Sequence, residues 1–369
     1  MTRALRILHV GKFYPPYPGG MESHLELLCQ TTRAEVDVQV VVSDTGPRTV
    51  REVVDGIPVT RMGTRARMAS TSFCPGMAAE IRRAGADVVH FHHPNPSAAL
   101  SCLGARAGGR LVVTYHSDIV RQRVLGTLLA PLHRALLARA DAIIATSPQY
   151  AASSPVLGAH AGRVRVIPFG IAAAAMRPVD PAAVARVRAE HGPRIVLAVG
   201  RLVGYKGFDV LIRAMRDVDA RLLVAGAGPL GDALASQALR DGVGERVRLL
   251  GTVPDLRPLY HAADVFTLPS VARSEAFGIV QMEAMACGVP VVNTMLDSGV
   301  PFVSPHGVTG LTVPPGDPAA LAAALNTLLN DPGLRHRMGE AGRHRVETEL
   351  CARRMAADTV ALYRQVAGR

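Results

Sequence analysis

Two glutamates, Glu275 and Glu283, lie eight residues apart in the stretch RSEAFGIVQMEAMACGVPVV. A helix is predicted to begin near Gly278 and to end before Pro290. Glu275 therefore precedes this helix and Glu283 lies inside it. A carboxylate among apolar neighbours is costly to bury without partners, and the hydroxyl groups of a ligand would be suitable donors. The spacing therefore favours a site in which two carboxylates accept hydrogen bonds from hydroxyl groups.

The first turn of this predicted helix adds a second kind of chemistry. Its backbone amides carry a partial positive charge that suits phosphate oxygens, and they belong to Phe277, Gly278, Ile279 and Val280. The side chains of Ile279 and Val280 share a helical face with Glu283, so the carboxylate is expected to point towards an apolar interior unless a cleft opens there. The segment is predicted to bind a ligand that carries both hydroxyl groups and phosphate.

Two cations lie in the stretch VGRLVGYKGFDVLI, which follows a predicted strand and precedes a helix. Arg201 and Lys206 stand there beside Gly204 and Gly207. Such a loop suits a diphosphate, because two positive charges can neutralise the charge that grows as a phosphate leaves. A solvated basic loop is the competing interpretation.

Two other glycine-bearing turns are candidates for phosphate binding. Gly19 and Gly20 precede a helix expected to begin near Met21, where their amides either approach an anion or only form a turn. The stretch GAGPLG, residues 226–231, matches the GxGxxG pattern of dinucleotide-binding proteins. It follows the second strand of its domain and contains Pro229, so a redox cofactor is not predicted.

The composition is that of a globular protein. Of 369 residues, 49% are hydrophobic and 19% are charged, and the length is enough for two domains of about 150 residues each. A formal net charge of +11 favours an anionic partner. A phosphate-bearing substrate, an acidic membrane surface and nucleic acid all fit this charge; we expect the substrate, keep the membrane surface as an alternative, and expect no nucleic acid. The oligomeric state is left open.

The cysteines and the N-terminal residues indicate a compartment. Five widely spaced cysteines without a CxxC pair argue against a disulfide framework and against zinc. The N-terminal apolar run is too short for a signal peptide or a spanning helix. A cytoplasmic protein is predicted.

A histidine-rich stretch, HFHHPNP, contains His90, His92 and His93. Histidine is a common metal ligand, but closed metal sites usually draw on further ligands such as cysteine or carboxylate. No such residue is adjacent, so these histidines are predicted to line a pocket, and neither a metal nor another cofactor is expected.

A basic apolar segment, Arg121 to Asp141, permits two interpretations. It could be a surface helix broken near Pro131, or it could lie at the inner face of a membrane with its arginines at the level of the phosphates. Peripheral membrane contact is thus the second interpretation.

Short β-branched runs alternate with helical patterns twice over, which predicts parallel sheets with helices on both faces. The expected domains are residues 1–170, a hinge at 171–192, and residues 193–351, with a last helix at 352–369. The predicted strands are Arg6 to Val10, Val36 to Ser43, Ala86 to His90, Leu111 to Tyr115, Ala142 to Thr146, Val164 to Ile167, Ile195 to Gly200, Arg221 to Ala225, Val247 to Leu250, Val265 to Leu268, Pro290 to Asn293 and Leu311 to Val313.

These motifs together resemble a known family. In chain order, GRLVGYKG, GAGPL, the pair from Glu275 to Glu283, GVPVV and GVTGLTVPPGDP resemble glycosyltransferase family 4. The resemblance implies an α/β protein of the GT-B fold, with two doubly wound Rossmann-like domains facing across a cleft. It also implies that the last helix crosses back to the first domain.

The resemblance also implies roles for individual residues. The implied catalytic residues are Glu275, Lys206, Arg201 and His116; the implied donor-binding residues are Glu283 at the ribose, Gly19, Gly20, Phe277, Gly278, Ile279, Val280, Gly228 and Val253; and the acceptor-side candidates are Tyr14, Glu22, His92 and His93.

The implied activity is retaining transfer of a hexose, without metal, from a nucleotide diphosphate sugar to a glycan or lipid-linked glycan. The stretch NTMLDSGVPFVSPHGVTGLTVPPGD looks most like bacterial polysaccharide enzymes and favours mannose from GDP-mannose. Two alternatives are a sugar-nucleotide epimerase or phosphorylase of the same fold, and a nucleotide-sugar binder without catalysis.

Overall fold

The chain forms two compact units in a computed structural model. The structure describes residues 3–17, 19–68, 71–105, 108–117, 123–177 and 179–369. The first unit comprises Met1–Gly170 and Ala352–Arg369, and the second comprises Ile171–Cys351. Residues 171–192, predicted as a hinge, contain a helix and group with the second unit. Pro178, within that segment, lies outside the described residues.

The first unit is built on an eight-stranded sheet with helices on both faces. Its elements are β1 (Arg6–Val10), α1 (Gly20–Thr32), β2 (Asp37–Ser43), β3 (Val50–Val54), β4 (Ile57–Met62), β5 (Ala66–Met68), β6 (Thr71–Phe73), α2 (Met77–Arg83), β7 (Val88–His93), α3 (Pro96–Ala105), β8 (Arg110–Tyr115), α4 (Arg123–Arg139), β9 (Ala142–Ala145), α5 (Pro148–Ser153), α6 (Pro155–Gly158) and β10 (Val164–Val166).

The strand order of this sheet is β10-β9-β8-β7-β1-β2-β4-β3, parallel except for the pair β3 and β4. The sequence interpretation missed that pair, although Asp55 and Gly56 join its strands and Asp-Gly is a strong hairpin signal. Both residues have positive φ, 48° and 78°, as a type I′ turn requires. The small hairpin of β5 and β6 was missed as well.

The helix α4 corrects one expectation. It is continuous from Arg123 to Arg139 and contains Pro131, where a break was expected. Pro131 lies on the exposed side of the helix, where water can bond a carbonyl that has lost its amide partner. Arg121, part of the proposed membrane segment, lies outside the described residues. Within the described ranges, no helix has both the length and the apolar composition needed to cross a membrane.

The second unit has a six-stranded parallel sheet. Its elements are α7 (Pro181–His191), β11 (Ile195–Val199), α8 (Phe208–Ala214), β12 (Arg221–Ala225), α9 (Gly231–Arg240), β13 (Val247–Gly251), α10 (Arg257–Ala262), β14 (Val265–Leu268), α11 (Ile279–Ala286), β15 (Val291–Thr294), α12 (Val300–Val303), β16 (Gly310–Val313), α13 (Pro318–Asn330) and α14 (Pro332–Thr348).

The strand order β13-β12-β11-β14-β15-β16 is that of the doubly wound nucleotide-binding fold. The chain winds outwards in one direction from β11 and, after β14, in the other. Ligands of such sheets bind beyond the carboxyl ends of the two strands at this switch point, because the loops that follow them diverge there. In this unit those loops are residues 200–207 and 269–278.

The last helix, α15 (Ala352–Ala367), packs within the first unit. It lies against α1 and β8 and buries Met355, Val360 and Tyr363 in the core of that unit. Arg364 forms an ion pair with Glu35 at 2.9 Å. The first unit is therefore completed by residues more than 180 positions further along the chain.

Glycines let the loops that follow β11, β12 and β14 approach one another closely. A Cβ on Gly207 would lie 2.0 Å from the carbonyl oxygen of Pro269, and the φ of Gly207 is +68°. A Cβ on Gly226 would lie 2.0 Å from the carbonyl oxygen of Gly200. Any side chain at either position would push the loops apart, so these glycines fix the spacing of the loops.

We predict that Gly207→Ala destabilises the protein by roughly 2–4 kcal/mol, since it adds both a steric clash and an unfavourable φ. Gly242→Ala is the matched control, because its φ is +72° but no atom lies within 4 Å of the added Cβ. The control should cost only about 1–2 kcal/mol. Urea unfolding of both variants measures the difference, and equal losses would contradict the steric explanation.

Candidate active site

A buried ion pair lies at the switch point of the second unit. Lys206 closes a one-turn 3-10 helix, Gly204–Lys206, after β11, while Glu275 lies in the loop after β14. The Lys206 Nζ is 2.6 Å from the Glu275 Oε2, and both residues are 8% exposed. The Ser270 hydroxyl donates a second hydrogen bond, of 3.0 Å, to the same oxygen. Lys206, predicted to bind the diphosphate, and Glu275, predicted to bind the sugar, are thus in direct contact.

This pairing keeps the lysine charged. Burial is the largest single effect and lowers the pKa of Lys206, but the charge of Glu275, the neighbouring Tyr205 and the hydrogen bond to Glu275 together raise it by more, so the pKa lies above its usual value. A buried cation with one anionic partner would still attract a diphosphate, which could share or replace the interaction with Glu275. The site thus holds positive charge in place before a ligand arrives.

Arg201 supplies a second, different cation. It lies on the same loop, is exposed, and forms no ion pair among the described residues. An exposed guanidinium on a long side chain can reach an incoming phosphate without first breaking a contact. Lys206 is therefore the fixed cation of this loop and Arg201 the adaptable one.

The helix α11 begins as predicted, with Gly278 as its N-cap in the left-handed region at φ 78°. No side chain caps it, so its first amides remain available to an acceptor. Phe277 is buried and holds the preceding loop against the core. This terminus and Lys206 both follow the two strands of the switch point, an arrangement that suits an anion.

Glu283 is half-buried on α11, on the same partly open face as Ile279 and Val280. The sequence allowed either a closed apolar interior or an open cleft beside this face, and the structure has the face partly open. The opposite face of α11 packs into the core. The hydroxyl of buried Tyr260 donates a hydrogen bond of 2.6 Å to the Glu283 Oε2. Burial raises the pKa of Glu283, and the tyrosine partly offsets that rise.

The other predicted donor-binding residues of this unit have mixed surroundings. Gly228 allows close packing, since a Cβ there would lie 2.5 Å from the Leu202 carbonyl oxygen. That contact accounts for the glycine without a ligand. Val253 is half-buried in the loop after β13. Ligand roles for both residues stay predictions.

In the first unit, the uncapped N-terminus of α1 is occupied by the chain's own carboxylate. A Cβ on Gly19 would lie 2.2 Å from the Glu22 Oε2, so that carboxylate folds back over the start of the helix at Gly20. Burial raises the pKa of Glu22, a rise that the backbone amide of Glu22 and the charge of Lys12 reduce. An anionic ligand at this terminus would first have to displace Glu22.

A cluster of histidines lies at the carboxyl edge of the first sheet. Residues two apart on a strand share a face, so His90 and His92 of β7 lie on one side with His9 of β1, which pairs with His90 in the register. His116 follows β8, and His24 of α1 lies across from them. All five are at most 6% exposed.

His93 and Tyr14 have structural surroundings that differ from the predicted ones. His93 points to the other face of β7, where it stacks on Tyr115 and lies 3.1 Å from His133, nitrogen to nitrogen. Tyr14 is 1% exposed and belongs to the hydrophobic core. Core packing accounts for the burial of Tyr14, and its contact with an acceptor stays a prediction.

The histidine cluster contains two sets of ring nitrogens that are close enough together to bind a metal ion. The sets His9, His90, His92 and His24, His92, His116 each place three ring nitrogens within 4.8 Å of one another. Burial and the neighbouring histidines lower the pKa of the central residue His92, and no carboxylate contributes to that shift. A divalent ion would be buried there without a counter-charge, so a neutral hydrogen-bonded cluster is favoured.

Comparison with known proteins identifies the family. The profile described as Glycosyl transferase 4-like domain matches residues 19–170, and that described as Glycosyl transferases group 1 matches residues 181–345. D-rhamnosyltransferase WbpZ of Pseudomonas aeruginosa is 34% identical over 341 residues, 91% of this chain and 89% of that protein. The chain belongs to glycosyltransferase family 4.

Further relatives agree with this assignment. The O-antigen chain mannosyltransferase C of Escherichia coli is 32% identical over 97% of this chain and 98% of its own. A GDP-mannose-dependent alpha-(1-6)-phosphatidylinositol monomannoside mannosyltransferase of Mycolicibacterium smegmatis is 32% identical over 92% and 93%. Sucrose-phosphate synthase of Thermosynechococcus elongatus has the same fold, with a TM-score of 0.84 at 26% identity and 99% coverage of both chains. The architecture of this glycosyltransferase is GT-B.

Two residues of the glycosyltransferase site were missed from the sequence. Tyr260 lies in α10, more than twenty residues before the glutamate that it contacts, and no local motif marks it. Ser270 follows β14 almost directly, at the carboxyl end of a strand at the switch point. That position could have indicated Ser270, because side chains at such strand ends face the ligand region.

We predict that the glycosyltransferase loses stability as the pH falls below about 6.5, the ordinary pKa of histidine. Burial lowers the pKa of all five clustered histidines, to about 3 for His9 and His116. Above pH 6.5 these histidines are neutral in both the folded and the unfolded protein, so their burial does not reduce the free energy of unfolding. Below it the unfolded chain gains protons that the folded chain does not, which costs up to about 1.4 kcal/mol per pH unit for each histidine.

Urea unfolding between pH 7.5 and 4.5 tests this dependence. His24→Phe is the informative variant, because neither ring nitrogen of His24 has a hydrogen-bond partner in the described residues and its ring lies 4.1 Å from that of Phe169. It should keep the stability at pH 7.5 and make the decline with acid shallower. An unchanged slope would contradict the attribution to these histidines.

Proposed function

We propose that this glycosyltransferase moves a hexose from a nucleotide diphosphate sugar to a hydroxyl group of a glycan or lipid-linked glycan, with retention of configuration and without a metal ion. The observation that carries the proposal is the buried pair of Lys206 and Glu275 at the switch point, beside an uncapped helix terminus. It joins a fixed cation for a diphosphate with a carboxylate for hydroxyl groups.

We assign the donor's parts to residues of the second unit, from the ribose at one end to the transferred sugar at the other. Glu283 accepts hydrogen bonds from the ribose, and Tyr260 holds its carboxylate for that purpose. Lys206 and Arg201 bind the diphosphate, together with the first amides of α11. The free oxygen of Glu275 accepts from a sugar hydroxyl. The assignments of Gly20 to the diphosphate and of His116 to the sugar follow the family resemblance.

The proposed chemistry needs no enzyme nucleophile. The bond between the anomeric carbon and the phosphate oxygen breaks as the acceptor oxygen attacks from the same face, and the acceptor's proton passes to the departing phosphate oxygen. Lys206 and the amides of α11 stabilise the charge that develops on the diphosphate. Because the acceptor oxygen replaces the phosphate on one face, configuration at the anomeric carbon is retained.

GDP-mannose is the proposed donor, and mannose is the proposed transferred sugar. The support is the mannosyltransferase activity named for two of the relatives, one of them GDP-mannose-dependent. A related D-rhamnosyltransferase makes a deoxyhexose the main competing sugar. The support for a glycan or lipid-linked acceptor is likewise the relatives' names, an O-antigen chain and a phosphatidylinositol mannoside.

A donor panel tests the binding half of the proposal. Thermal unfolding with GDP-mannose, GDP, UDP-glucose and UDP should show the largest rise in Tm with GDP-mannose. Glu283→Gln should weaken donor binding about 10- to 150-fold, the value of one hydrogen bond to a charged group. Arg240→Ala, an exposed change, is the control and should bind as the parent does. A stronger response to a UDP-sugar would overturn the proposed donor.

A kinetic variant tests the catalytic half. Lys206→Met removes the fixed charge with little change of size, and we expect kcat to fall about 100-fold or more, because the leaving diphosphate loses a buried cation. Turnover can be measured without a known acceptor as the slow hydrolysis of GDP-mannose by the parent protein, which is monitored through the release of mannose and GDP. Wild-type hydrolysis by Lys206→Met would refute the assignment.

A further inference from the structure

Three imidazoles form a hydrogen-bonded chain inside the first unit. The His9 Nδ1 is 3.1 Å from the His92 Nε2, and the His92 Nδ1 is 3.1 Å from the His116 Nε2. The three residues are 0%, 4% and 5% exposed. They come from the adjacent strands β1 and β7 and from the residue that follows β8, so the sheet fixes their spacing.

The hydrogen bonds of this row of three imidazoles can be oriented in only two ways. A neutral imidazole has one N–H donor and one bare nitrogen that accepts. His92 must therefore donate through one nitrogen and accept at the other. Either His9 donates to His92 and His92 donates to His116, or both bonds run the opposite way.

The outer ring nitrogen of His9, at one end of the row of imidazoles, distinguishes these two orientations. The His9 Nε2 is buried and has no hydrogen-bond partner in the described part of the chain. If the bonds ran from His116 towards His9, this nitrogen would carry a buried N–H with nothing to donate to, and orphaned buried N–H groups are rare. If they run from His9 towards His116, it is a bare acceptor, which is tolerated more often. The second arrangement is favoured.

We propose that His9 and His92 hold His116 in the tautomer that is protonated on Nδ1. The Nε2 of His116 accepts from His92, so its Nδ1 carries the proton, and no described residue accepts a hydrogen bond from that nitrogen. His116 then offers an N–H to a ligand acceptor such as a hydroxyl oxygen of the transferred sugar, and it is not a base. This clause about the ligand rests on the proposed function; the tautomer does not.

The proposal gives His9 and His92 the role of positioning residues. His92 was expected on the acceptor side, but both its ring nitrogens are already engaged within the chain of imidazoles. It acts on the ligand through His116. The ring of His90 packs against His92 from one side. Its Nδ1 lies 2.5 Å from the hydroxyl of Tyr363 in α15, and its Nε2 lies 2.6 Å from the hydroxyl of Thr114 in β8.

The tautomer can be measured directly. Nitrogen-15 NMR of the protein labelled at its histidine rings distinguishes protonated from bare ring nitrogens, and His9→Phe, His92→Phe and His116→Phe assign the signals. The expected result is protonation on Nδ1 in all three residues at pH 7.5. Protonation on Nε2 of His116 would overturn the proposal. This measurement does not depend on what reaction the protein catalyses.

Activity variants test the consequence for turnover. Asparagine places an amide N–H near the position of Nδ1 in histidine, and glutamine places one near Nε2. His92→Asn should therefore keep kcat for GDP-mannose hydrolysis within about threefold, whereas His92→Gln should lower it by about tenfold or more, with KM little changed. The reverse order would overturn the proposal.

His133→Asn and His133→Gln form the matched control pair, since His133 lies on the opposite face of β7 against His93. Both should leave kcat unchanged. If no variant and no parent protein hydrolyses any donor, the proposed function fails and the NMR result still decides the tautomer. If hydrolysis is present and both His92 variants lose it equally, the positioning role fails on its own.

Discussion

The candidate site of the second unit depends on one buried ion pair, that of Lys206 with Glu275. Neither charge would be stable in its surroundings alone, because each is largely removed from water. Together they satisfy one another, and the loops that carry them follow the two strands where the sheet reverses its winding. The close contact of glycine backbones in these loops leaves little freedom to separate the charges. The fold thus holds a cation at the place where a phosphate is expected.

Much of the fold could be predicted from the sequence, because β-branched runs and helical patterns alternate clearly. The strands Arg6–Val10, Arg221–Ala225 and Val265–Leu268 have the predicted bounds. The antiparallel strand β3 was not predicted, since its exposed residues do not form an apolar run. The Asp-Gly turn beside it was the available signal. The assignment to glycosyltransferase family 4, implied by the motifs, was confirmed by comparison with known proteins.

The site was less predictable than the fold. The positions of Glu275 and Glu283 relative to α11 followed from the glycine and proline that flank the helix. The contact between Glu275 and Lys206 did not follow, because their loops are 69 residues apart and meet only through the strand order. Tyr260 was invisible for the same reason. The burial of Tyr14 was not predicted, because it lies in a glycine- and proline-rich loop, whereas its ring fills the core.

The return of α15 to the first unit has a consequence for how the protein is made. Tyr363 belongs to the same core as the first strand and touches His90. The ribosome therefore finishes the whole second unit before it releases the residues that complete the first. Until then the nascent first unit keeps an apolar surface uncovered beside α1, where a molecular chaperone could bind during translation.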